Sequence, residues 1–134
     1  MRKLFLAVVP VAALLASSGA MAQSYKPVTA VQNLPGWQCM ALASAYGPNG
    51  INAPPAPVFA SADSSAKVGS GAGVIIVPSP LAPKNGRTEM IWPNGKKVWI
   101  DVAQLTQWHS LSNPQATCRP ALMSNGRYGF TTAN

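Results

Sequence analysis

His109 is the only histidine in this 134-residue chain, and with Asp101 and any of many serines it supplies the residue types of a Ser-His-Asp hydrolase. The spacing argues against that chemistry. No G-x-S-x-G elbow occurs, and Asp101 and His109 fall at a hairpin end and in a Ser- and Asn-rich tail. Glycoside hydrolysis would need two carboxylates drawn from only three acids, Asp63, Glu89 and Asp101. Cys39 and Cys118 lack the close C-x-x-C spacing of a redox pair or zinc site, and one histidine with scattered methionines makes no metal cluster. The Gly69, Gly71, Gly73 series lacks the G-x-G-x-x-G spacing of a phosphate loop and reads as a backbone bend. No catalytic residue, metal or cofactor is assigned, and the chain reads as a non-enzyme.

Aromatic and basic residues carry the binding chemistry. Trp92, Trp99 and Trp108, with Trp37 and Tyr46, could stack on sugar rings or hold an extended peptide, with Arg87, Lys96 and Lys97 meeting carboxylates. Trp99 must face away from Val98 and Ile100, and with Trp37 it reads as packing. Trp92 and Trp108 stay open between a second small core and a ligand platform. The candidate ligand-binding residues are thus Trp92, Trp108, Arg87, Lys96 and Lys97.

The elements that must position these residues follow an N-terminal address. Arg2 and Lys3 form a basic start, Leu4 to Leu15 an apolar stretch too short to span a bilayer, and Ala20-Met21-Ala22 an A-x-A cleavage site. Residues 1–22 read as a signal peptide, with the mature protein periplasmic or secreted. No cysteine stands at the cleavage point to carry a lipid, and no later apolar run reaches the roughly 18 residues of a spanning helix. The 112 residues that remain suit one small domain. They hold eight basic residues against three acids, a net +5 that favours anionic partners such as cell-wall polymer or an acidic envelope protein. Nucleic acid is not expected, because the basic residues are scattered apart from Lys96-Lys97 and the chain is exported away from it.

In an oxidising compartment two cysteines predict one disulfide, Cys39 to Cys118. The bond would close a loop of 79 positions, worth about 4–5 kcal/mol in the chain-entropy model. Residues 23–35 read as an extended lead-in. Trp37 to Tyr46 predicts a short helix, with Trp37, Met40, Ala41 and Ser44 at spacings of three and four, ended by Gly47-Pro48. Gly47 to Pro57 is a Pro-rich connector. From Val58 the texture becomes short strands cut by turns: Val58-Phe59, Val74 to Val77, Thr88 to Trp92 and Lys96 to Asp101. Pro78 to Arg87, with three prolines and Asn85-Gly86, reads as an exposed loop. Pro93-Asn94-Gly95 suits a type I turn with a G1 bulge. A single helical turn follows at 101–105, plugged by Leu105, and Trp108 to Asn134 reads as a wrapping tail pinned at Cys118, with a small turn near Ser124 to Phe130.

From Pro57 to Leu105 this order resembles the bacterial SH3-like (SH3b) domain. The matching residues are Pro57-Val58-Phe59, Asp63-Ser64-Ser65, Val68-Gly69, Val74 to Val77, Glu89-Met90-Ile91-Trp92, Pro93-Asn94-Gly95, Trp99-Ile100 and Leu105. Leu34 to Met40 and Met123 to Arg127 also look like the flanks of small exported proteins built on such a core. The resemblance implies a mainly β fold: an SH3-like small barrel at 57–108, a helix and connector at 23–56, and a disulfide-tethered C-terminal tail at 109–134. It also implies a free-standing binding module recognising peptidoglycan or a cell-wall peptide, with a secreted inhibitor or accessory partner of an envelope protein as the alternative. The Pro78 to Pro83 insertion departs from the pattern and puts transfer of the family's ligand groove in doubt.

Overall fold

A computed structural model of the chain describes residues 26–134, so the signal peptide read at 1–22 lies outside the described residues. Ten strands form: β1 (Ala30–Asn33), β2 (Trp37–Leu42), β3 (Ala56–Phe59), β4 (Lys67–Gly71), β5 (Val74–Pro78), β6 (Arg87–Ile91), β7 (Lys97–Asp101), β8 (Leu105–Gln107), β9 (Thr117–Met123) and β10 (Tyr128–Ala133). The continuous apolar run of β5 marks a strand covered on both faces, and Ile75, Ile76 and Val77 are all buried. β5, β6 and β7 follow one another as an antiparallel meander. A 3-10 turn at Val102–Gln104 then leads into β8, which returns to pair with β2. The antiparallel seven-stranded sheet has the order β4-β3-β7-β6-β5-β2-β8, and a second, three-stranded sheet has the order β1-β9-β10.

Alternation along the strands selects the core. Met40 and Leu42, Val58, Ile75 and Val77, Met90, and Val98 and Ile100 form one buried cluster, with Leu105 and Trp92 packed at its margin. Two turns set the meander's register. Asn85 and Gly86 have φ of 50° and 73°, and Lys84 and Arg87 exchange both backbone hydrogen bonds, as a two-residue Asn-Gly hairpin requires. At Pro93-Asn94-Gly95, the Gly95 N–H donates to the Trp92 carbonyl and the Trp92 N–H to the Lys96 carbonyl, with Gly95 at φ 86°.

The structure corrects the reading of Trp37 to Tyr46 as a helix. Its first six residues are a strand with neighbours on both sides, β5 and β8, and only Ala43–Tyr46 coils, as a 3-10 turn. Trp37-Gln38-Cys39-Met40-Ala41-Leu42 carries apolar groups at helical and at alternate spacing alike, and so short a run cannot separate the two periods. Pairing on both edges decides it. The C-terminal segment is corrected as well. Rather than a wrapping tail, it forms the β9–β10 hairpin, joined by β1 from the lead-in. Its apolar content is sparse because backbone pairing builds this sheet, and only Pro120 and Ala121 of its strands are buried.

The two cysteines are bonded, with Cα atoms 5.9 Å apart, and the bond joins β2 of the large sheet to β9 of the small one. Beside it the Leu34 N–H donates to the Pro120 carbonyl at 3.3 Å. No helix among the described residues is long and apolar enough to cross a membrane.

Candidate functional site

Trp92 leaves β6 at the start of the Pro93–Gly95 turn, and its ring reaches Gly69 of β4. A Cβ at Gly69 would stand 2.7 Å from that ring, so glycine there is a condition of the ring's position. The same turn meets β10. Tyr128 donates its N–H to the Pro93 carbonyl at 2.8 Å, and a Cβ at Gly95 would stand 3.0 Å from its ring. The two sheets are thereby tied at this end through backbone and at the other through the disulfide.

Between this tie and the Ala72-Gly73 link from β4 to β5 lies a groove of about 610 Å³. Ile76 and Ile91, both buried, line it from the large sheet, while Trp92, Tyr128 and Phe130 supply aromatic surface. Phe130 is 41% exposed. Polar groups are few: among the described residues Asn94 and Ser70 line the groove, with Arg127 as the one cation and no acid. Such a site suits an elongated ligand with apolar parts and a carboxylate.

Of the five residues expected to bind, the structure brings only Trp92 to this groove. Arg87 is committed elsewhere: its Nε contacts Asp101 Oδ1 at 3.0 Å, and its Nη1 donates to the carbonyls of Ser61 at 3.2 Å, Ala62 at 3.3 Å and Ser64. Its guanidinium also stands 3.5 Å from the Phe59 ring centre. This set holds the loop between β3 and β4. Lys97 pairs with Glu89 at 3.6 Å and lies 5.7 Å from the Trp37 ring centre. Lys96 is exposed beside the turn, and its backbone N–H is held by Asn94 Oδ1 at 2.9 Å. Trp108 is half-buried after β8 and does not line the groove.

Arg127, Tyr128 and Phe130 went unassigned in the sequence. The available signal was Asn125-Gly126 followed by the alternation Tyr128, Phe130, which marks a hairpin strand with an aromatic face. Asp101 is held by Arg87, whereas the His109 ring stacks on Tyr46 with centroids 3.8 Å apart, so the two do not form the hydrogen-bonded pair a triad needs. The Tyr46 hydroxyl donates to the His109 carbonyl and accepts from the His109 N–H, each at 2.8 Å. Among the described residues no group of three or more His, Cys, Asp or Glu could hold a metal ion. A smaller hollow of about 290 Å³ lies beside Cys118, lined by Pro35, Trp37 and Arg119 among others.

Compared with family models, curated proteins and solved structures, the chain matches none of them.

Proposed function

We propose that this chain is an exported, non-catalytic SH3-like binding module of the cell envelope, and that the inter-sheet groove takes a cell-wall peptide. The observation that carries the reading is the groove itself: aromatic walls from Trp92, Tyr128 and Phe130, an apolar base, and Arg127 without an acid beside it. An SH3-like core is supported by the order of elements. The β5–β6–β7 meander is followed by a 3-10 turn, and β8 then lies beside β2, which precedes the meander in the chain. Export is supported by the Cys39–Cys118 bond, since disulfides persist in oxidising compartments.

Co-sedimentation with purified sacculi tests the reading. Binding is expected to survive moderate salt and to weaken roughly tenfold in Trp92→Ala, the size of losing one buried aromatic contact. Binding that disappears with salt and in Lys96/Lys97→Ala, while ignoring Trp92, would mean charge adhesion instead. A second reading, an accessory partner or inhibitor of another envelope protein, is favoured by one feature: among the described residues β10 is the edge strand of its sheet, and it lines the groove.

A further inference from the structure

We infer that the outer edge of β10 is a strand-addition site, at which an extended, carboxylate-bearing segment of an envelope protein pairs through its main chain. The inference rests on the groove being a ligand site. Along the β9–β10 hairpin the Met123 N–H donates to the Arg127 carbonyl. Antiparallel ladders alternate, so Ala121/Gly129 and Arg119/Thr131 are the next pairs to close, while Tyr128, Phe130 and Thr132 turn their N–H and C=O groups away from β9. Tyr128 already uses that direction, donating to Pro93 at the end of the groove. The backbone groups of Phe130 and Thr132 point the same way and pair with nothing among the described residues.

An edge of this kind is a template for another strand. Strand addition takes its affinity from main-chain hydrogen bonds and its selectivity from pockets for alternate side chains. The groove supplies those pockets through Ile76, Ile91 and Trp92, and Arg127 supplies the charge preference. A lining that among the described residues carries one cation and no acid, in a basic chain, selects an acidic partner and disfavours a second copy of this one. Main-chain pairing in regular alternation also requires consecutive α-linked residues of one hand, which a protein segment has.

The experiment uses isotope-labelled, disulfide-bonded protein and two blocked peptides: an all-L hexapeptide alternating valine and glutamate, and the same peptide with alternate amides N-methylated. The first should shift the amide signals of Phe130 and Thr132 and slow their hydrogen exchange, and the second should bind roughly tenfold more weakly. Thr132→Pro deletes an outward N–H that the β9 ladder does not use, so the variant should keep the hairpin and lose about tenfold in affinity, while Thr132→Ala stays close to the parent. Equal binding of the methylated peptide, no binding of the first peptide, or pairing of β10 with a second copy would overturn the inference. The groove reading fails separately. Trp92-dependent binding to sacculi without binding of the hexapeptide keeps the groove and removes strand addition alone, whereas hexapeptide binding that ignores Trp92 removes the groove reading and the inference that rests on it.

Discussion

At Arg87 one guanidinium joins the end of β7, through Asp101, to the carbonyls of Ser61, Ala62 and Ser64 and to the Phe59 ring. Its side chain is 16% exposed and that of Asp101 40%. Solvent screens the ion pair accordingly, and the carbonyl bonds carry most of the effect. Arg87→Lys is expected to cost about 1–3 kcal/mol in chemical denaturation, because a single ammonium cannot span the fork that the carbonyls and Asp101 share. A loss below about 0.5 kcal/mol would show that the loop holds itself. Gly69 offers a second test. In Gly69→Ala the new methyl displaces the Trp92 ring. Tryptophan emission should move to longer wavelength, and sacculus binding should fall as in Trp92→Ala. The sequence read Arg87 as the end of an exposed loop and a cation rimming the aromatic residues, and could not tell that role from a part-buried clasp. That difference is made by Ser61, Ala62 and Ser64, far away in the chain.

Between elements, the disulfide and the Tyr128–Pro93 hydrogen bond are what hold the small sheet on the large one. In Cys39→Ser/Cys118→Ser, amides of β1, β9 and β10 are expected to exchange faster by far more than those of β6 and β7, whose ladder holds neither cysteine. Global stability should fall by up to about 4–5 kcal/mol, the chain-entropy value for so long a loop. Uniform acceleration over both sheets would mean that they unfold as one unit. The strands of the meander were legible because their signals are local: alternating apolar residues between Asn85-Gly86 and Pro93-Asn94-Gly95, turns whose positive φ values those residues accept. β2 was not legible. Its six residues fit a helix as well as a strand, and only the partners on either side, β5 and β8, make the choice. β9 and β10 were hidden for a related reason: Pro120 interrupts the first and the apolar residues are few, yet each strand finds a partner.

For the molecule as a whole, three acids cannot neutralise its cations. Glu89 and Asp101 are engaged by Lys97 and Arg87, which leaves Lys26, Lys67, Lys84, Lys96, Arg119 and Arg127 without a carboxylate within 4.0 Å among the described residues. Charges spread this way attract polyanions at long range, and that attraction is screened over about 8 Å at physiological salt. Association with an acidic polymer should therefore slow steeply as salt rises, while the Trp92-dependent part of the affinity persists. Stopped-flow binding across a salt series separates the two. A Trp92-dependent component that vanished in parallel with the electrostatic one would place the aromatic groove outside the recognition event. Of the five residues chosen for binding from sequence, Trp92 lines the groove and Arg87, Lys96, Lys97 and Trp108 do not, because residue type reports what chemistry is available and not where it converges.

Local chemistry was enough to read a mainly β chain, the strands of the meander, its Pro93-Asn94-Gly95 turn and the pairing of its two cysteines, while Asn85-Gly86 read only as part of an exposed loop. Each depends on neighbours in the chain or, for the disulfide, on there being only one partner. The three-dimensional fold alone decided that β2 is a strand, that the C-terminal segment builds a second sheet, that Arg87 is clasped by the carbonyls of the loop between β3 and β4, and that Trp92 shares a groove with Arg127, Tyr128 and Phe130. Those outcomes rest on register and contact between segments dozens of residues apart, where no local period carries the information.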